Sequence, residues 1–242
     1  MSKEFKSGLK DGIPIALGYL SVSFSLGIMA LAGGLSVFHS ALMSLTNITS
    51  AGQFAGIQII IAGGTLLEMI LTQLVINLRY ALMSLSLSQK LSPDMKLWQR
   101  FVVAFANTDE IFAVAMAHGK SLTFPYMIGL QLLPVLGWVA GTVLGGVAAS
   151  LMPKSVSAAM GVALYGMFIA IIIPPAKKNL VIAIAVAVSF VCSYVCGILP
   201  YVRDLSSGTR TIVLTVVISS IVALIKPVED EQQSQESSQE GK

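Results

Sequence analysis

Four consecutive residues, Asn107-Thr108-Asp109-Glu110, set two carboxylates inside an otherwise apolar run at 100–118. Ionisable groups at membrane depth are costly and are by default functional. Adjacent side chains on a helix diverge by about 100°, so one of the pair, Asp109 or Glu110, faces a pathway. That acid can bind a substrate ammonium or carry a coupling proton. The alternative is that the run lies in water and Thr108 or Asp109 caps a helix start.

A second polar group is Thr49-Ser50-Ala51-Gly52-Gln53-Phe54-Ala55-Gly56. A helix restarting near Gly52 leaves its first backbone N–H groups without intrahelical partners, and such an end attracts anions, including the carboxylate of an amino acid. Gln53 donates and accepts at the same point, and Phe54 and Ile57 would shape an apolar pocket. The alternative is that Gly52 and Gly56, four apart, form a close-packing seam. A third group, Asn77-Leu78-Arg79-Tyr80, ends the next run. Arg79 either snorkels to the interface or meets a carboxylate, Asp109 in first place, or the substrate. Glu68 is a lone acid in GGTLLEMILTQ. It pairs across helices, sits at the interface after Gly63-Gly64, or takes part in coupling.

The elements that must position these groups are transmembrane. Of 242 residues, 55% are hydrophobic and 11% charged, against about 25% charged in soluble domains. Eight hydrophobic segments stand out, at 13–32, 38–62, 65–88, 100–118, 125–150, 156–173, 178–199 and 208–226. The fold class is an all-α polytopic membrane protein with about six to eight such segments, one or two of them broken or re-entrant helices lining a central site. Residues 1–12 read as a cytoplasmic N-terminus, 13–226 as one transmembrane domain, and 227–242 as a disordered acidic tail. Lys3, Lys6 and Lys10 before an apolar run resemble a signal peptide, but the run is long and further spans follow, which favours a retained first helix.

Charge placement constrains the topology. The N-terminal lysines and the loop with Lys90, Lys96 and Arg100 should share the cytoplasmic face. Three full crossings before Lys90 would separate them, so segment 38–62 is expected to re-enter rather than cross. Segment 100–118 is ambiguous: if it spans, Lys154, Arg203 and Arg210 are inside, and if it is a second broken helix, Lys120, Lys177, Lys178 and Lys226 are. A net charge of +3 gives no sign of nucleic acid as partner. Cys192 and Cys196 share a helix face as small packing residues. No metal or cofactor motif is complete; Gly119-Lys120-Ser121 lacks the glycine a phosphate loop needs at Val114. Gly141 and Gly145 form a packing seam toward this chain's own helices or a partner. Pro14–Tyr19 and Pro134–Trp138 carry a faint internal similarity, for which a repeat and chance are equally good accounts.

SAGQFAG, VINLRYALMSLSL, NTDEIFAVA and PVLGWVAGTVLGG, in that order after GIPIALGYLSVSFSLGIMA, resemble the AzlC-type large subunit of two-component branched-chain amino acid exporters. The resemblance covers about residues 8 to 200. It implies a secondary transporter in a bacterial inner (plasma) membrane that exports hydrophobic amino acids. It also implies a small AzlD-type membrane subunit as partner, no cofactor and no enzymatic activity. The carried-over positions are Gly52, Gln53, Phe54, Asn77, Arg79, Thr108, Asp109 and Glu110. Tyr80 departs from the family's usual His, and Tyr does not titrate near neutrality. A non-transporting membrane scaffold or sensor subunit is the rival reading.

Overall fold

In the computed structural model, residues 2–153, 155, 156, 166, 169, 172–200, 202, 205 and 207–225 are described. Most of segment 156–173, Lys154, Arg203, Lys226 and the acidic tail lie outside them. The described chain is all-helical, and five of its helices are long and apolar enough to cross a membrane, with shorter apolar helices between them. It divides into two compact units, Met1–Phe168 and Ile169–Lys242.

The first unit is built on two long helices, α1 (Lys3–Ala32) and α7 (Phe124–Leu151). They run parallel, because their contacts advance together along both chains. A Cβ added to Gly8 would meet the backbone of Tyr126 and Leu130, one on Gly137 that of Ala16, and one on Gly145 that of Phe24. Lipid tails are as apolar as Leu, so what holds such helices together is close backbone packing, which only small residues permit. The seam predicted at Gly141 and Gly145 therefore packs inside this chain, against Leu20 and Phe24 of α1.

Four short helices fall between them in sequence and form two hairpins. In the first, α2 (Val37–Thr46) runs toward the middle and α3 (Ser50–Ile61) runs back. Val37 lies beside Gly146 near the end of α7, whereas Ser44 bonds Thr142 deeper along that helix. Returning along α3, Gln58 reaches Met29 and Ile61 lies against Gly33, at the end of α1 where the hairpin began. Segment 38–62 thus enters and leaves by the same end of the α1/α7 pair. Its break at Asn47-Ile48-Thr49 has a local cause: the Thr49 hydroxyl accepts from the Gly52 N–H, starting α3 with a side-chain cap.

The second hairpin comes from the opposite end. Helix α5 (Leu97–Phe105) runs along α7, with Trp98 edge-on to Phe124 at 5.3 Å and the Val103 carbonyl accepting from Gln131. Helix α6 (Asp109–Ala117), capped by Thr108, returns until His118 stacks on Tyr126 at 4.1 Å. Segment 100–118 is therefore also broken, and Lys120 lies with Lys3 and Glu4 around one surface pocket. Helix α4 (Leu66–Lys90) joins the two hairpins and runs antiparallel to α1. It starts beside Ile59 and Gly64 and ends where Leu91 bridges Leu122, next to Thr123, which bonds Glu4. Lys10 and Lys90 consequently share one end of the unit.

In the second unit, α8 (Leu180–Ile198) and α9 (Ser207–Ile225) pack antiparallel around an apolar groove between Val181–Val188 and Ile218–Ile225. Cys192 and Cys196 are free thiols on α8.

Candidate functional site at the hairpin tips

The two hairpin tips meet in the middle of the first unit. Tyr19, Asn77 and Trp138 stand near the midpoints of α1, α4 and α7, and the tips contact all three. Ile48 and Ile57 of the first hairpin and Ala106 of the second share one buried cluster with Tyr19, Leu26 and Trp138, against which Phe54 packs. Two short helices, α3 and α6, begin here and run toward opposite ends. Both N-termini, the positive ends of their dipoles, thus lie at this level.

From the α4 side the tips are held by amides and one ion pair. Asn77 Oδ1 accepts from the Thr49 hydroxyl, its Nδ2 donates to Gln73 Oε1, and Gln73 Nε2 donates to the Gly52 carbonyl at 2.7 Å. Gly52 and Gly56 face Gln73 and Met69 of α4. Lower on α4, Ser84 Oγ accepts from Asn107 Nδ2. Arg79 meets Asp109 at 2.7 Å, both side chains nearly half exposed, and its guanidinium also lies over the Tyr80 ring. The pairing expected between Arg79 and Asp109 is therefore present.

The α1/α7 side binds the tips through aromatic residues. Tyr19 is 9% exposed, and its hydroxyl is 2.5 Å from both Thr108 Oγ1 and Glu110 Oε2. Its ring is edge-on to Trp138 at 5.4 Å. Trp138 donates its indole N–H to Gln53 Oε1, while Gln53 Nε2 donates to Ser44, which bonds Thr142. Gln53 is fully buried with both ends of its amide satisfied. In this arrangement it fixes the first tip to α7.

Among the sequence-predicted residues, Gly52, Gln53, Asn77, Arg79, Thr108, Asp109 and Glu110 gather at the tips, with Ser50 half-buried at the start of α3 and Phe54 beside it. Glu68 does not. It sits in the first turn of α4 by Gly64, eleven residues and about 16 Å of helix rise from Arg79. Sequence reasoning missed Tyr19, Trp138, Ser44, Thr142 and Ser84 as tip contacts. Only the faint similarity of Pro14–Tyr19 to Pro134–Trp138 touched the first two. The Asn107 Oδ1 is buried without a hydrogen-bond partner among the described residues. A groove of about 180 Å³ between α4 and α5, lined by Ser84, Leu87, Leu91, Leu97 and Val103, opens below that tip.

The tips, α1 and α7 all fall within residues 14–152 or border them, and that span matches the family model described as AzlC protein. The chain belongs to the AzlC family. Similarity to other membrane proteins extends over a longer stretch. An "uncharacterized membrane protein" of Archaeoglobus fulgidus is 33% identical over 178 residues, 73% of this chain and 78% of the relative. Inner membrane protein YgaZ of Escherichia coli is 29% identical over 185 residues, 74% of this chain and 76% of the relative. An "uncharacterized membrane protein" of Helicobacter pylori is 28% identical over 152 residues, 61% of this chain and 65% of the relative. No solved structure matches. This AzlC-family chain is a multi-pass membrane protein, in agreement with its long apolar helices.

Proposed function

We propose that the chain is the large subunit of a secondary exporter of hydrophobic amino acids, the branched-chain ones first. It would work in the plasma membrane with a small AzlD-type membrane subunit, as a transporter component and not an enzyme. In this reading residues 13–226 form the transport domain, and the two hairpins re-enter the bilayer from opposite faces. The observation that carries the proposal is the meeting of α3 and α6 N-termini at mid-helix depth beside the Arg79–Asp109 ion pair. Irregular backbone at membrane depth is tolerated where it is buried in protein or lines a cavity, and discontinuous helices whose N-termini face an anionic substrate are a recurrent transporter device.

The roles follow from the chemistry. The α3 start at Ser50 would hold the substrate carboxylate, with Gly52, whose N–H the Thr49 hydroxyl caps, and Gln53 behind it, and Asn77 braces that start from α4. Thr108, Asp109 and Glu110 would hold the ammonium or a coupling proton. Arg79 neutralises Asp109 in the empty site. Phe54 and Ile57 would bound the aliphatic side chain. Glu68, remote from the tips, would act near one face if it takes part in coupling.

Counterflow of labelled leucine in proteoliposomes, with and without the small subunit and a pH gradient, tests the function. Leucine should exchange, and Gln53→Ala and Asp109→Asn should each reduce exchange at least about tenfold, the effect of roughly 1.4 kcal/mol lost from binding. If both variants exchange leucine normally at wild-type protein levels, the role assignment fails. If the wild-type chain moves nothing in any arm, the scaffold or sensor reading replaces it.

A further inference from the structure

The two acids at the start of α6 differ in their partners. Asp109 is met by the Arg79 guanidinium. Glu110 is met by a neutral phenol, Tyr19, and no ion pair among the described residues includes it. Glu110 is thus the acid at the tips without an ion-pair partner among the described residues.

The Tyr19 hydroxyl has one hydrogen and two oxygens within 2.5 Å, Glu110 Oε2 and Thr108 Oγ1. It can donate to only one of them at a time. Charge-assisted hydrogen bonds are the stronger kind, so with Glu110 ionised the phenol donates there and the Thr108 hydroxyl donates to the phenol. If another donor takes Glu110, the Tyr19 hydrogen has a second acceptor already in place at Thr108. The ring need not move, because it is held edge-on against Trp138.

We propose, on the basis of the exporter reading above, that Glu110 rather than Asp109 receives the substrate ammonium, and that the Tyr19 hydroxyl holds its place in the empty site. An ammonium has three N–H donors and no acceptor, which suits the Glu110 carboxylate, exposed at the start of α6. On binding, Tyr19 turns its hydrogen from Glu110 to Thr108. Tyr19 is a positioning residue that sets how strongly a cationic head must compete. Asp109 with Arg79 is a neutral pair beside the seat.

The chain has two tryptophans, and Trp138 touches Tyr19. Replacing Trp98 of α5, which lies against Phe124, by Phe leaves Trp138 as this chain's only indole, and the small subunit is used with its own tryptophans replaced by Phe. In that full-length background, with the small subunit present, Trp138 fluorescence is titrated with leucine, 3-methylbutylamine and 4-methylpentanoate. The amine keeps the cationic head alone, and the acid keeps the carboxylate alone. Glu110→Gln should weaken leucine and the amine by about tenfold or more and spare the acid. Tyr19→Phe, which removes the competing donor and leaves Thr108 its bond to the Ile111 N–H, should tighten the amine several-fold and spare the acid. A merely structural role for either residue would shift all three ligands together. The proposal is overturned if Glu110→Gln binds the amine as the parent does, if Tyr19→Phe leaves it unchanged, or if both variants move all ligands alike. Leucine counterflow by the W98F parent separates the two levels: exchange with an unaltered amine response in Glu110→Gln sinks this assignment alone, and absence of exchange and of any response sinks the exporter reading with it.

Discussion

Arg79 and Asp109 show how a residue pair acquires meaning from depth. In water, an ion pair with both side chains nearly half exposed contributes about 0–1 kcal/mol. Near the midpoint of α4 in a bilayer, leaving one of the charges alone is far more expensive. Removing either partner should therefore cost more than removing both. We expect Arg79→Gln and Asp109→Asn each to lower the yield of folded protein and leucine exchange, and the double variant R79Q/D109N to recover yield but not full exchange. A double variant as poor in yield as the worse single one would show that the pair has no such coupling. Sequence alone exposed this pair, because charged residues in apolar runs are conspicuous. It did not expose Tyr19 or Trp138, since an aromatic residue in an apolar run looks like packing whether or not its polar end is engaged. Nor could it show that Gln53 spends both ends of its amide on Trp138 and Ser44.

At the scale of elements, glycine placement separates helices that touch from helices that merely neighbour. A Cβ on Gly145 would press into the Phe24 carbonyl, whereas one on Gly18, on the same α1 that packs there, meets nothing within 4 Å. Gly145→Ala should therefore destabilise by about 1–3 kcal/mol through overpacking. Gly18→Ala should be neutral or stabilising through better helix propensity. Thermal unfolding in detergent checks this: a Tm for Gly145→Ala equal to that of Gly18→Ala would contradict the seam. The seam at Gly141 and Gly145 was legible from its spacing, but its partner was not. Spacing says that a backbone comes close and not whose, so the parallel pairing with α1 emerged only in three dimensions. The restart expected near Gly52 falls at Ser50, after Asn47-Ile48-Thr49, and segment 100–118, left open between a span and a broken helix, breaks at Asn107-Thr108, where short polar side chains offer the backbone an alternative to helix continuation.

For the first unit as a whole, the path of the chain was readable from six basic residues. Lys3, Lys6 and Lys10 could share a face with Lys90, Lys96 and Arg100 if one of the first three segments failed to cross, with the polar, glycine-broken 38–62 the natural choice, and its hairpin enters and leaves beside the same end of α1 and α7. The competing arrangement, in which 38–62 crosses as one broken span, differs in a measurable way. It moves Leu66 to the face of Lys10 and Lys96 to the opposite one. In a background with Cys192 and Cys196 replaced by Ala, single cysteines at Lys10, Lys96, Lys120, Phe38 and Leu66, all of them exposed positions, can be probed with a membrane-impermeant thiol reagent added to one side of sealed vesicles. The first three should react from one side and the last two only from the other. Leu66 and Lys96 are decisive, because each changes sides between the two arrangements while Lys10 and Phe38 do not. If Leu66 reacts together with Lys10, the first hairpin crosses, the tips cannot enter from opposite faces, and the paired helix starts around Tyr19 and Trp138 lose their role as the two halves of one site.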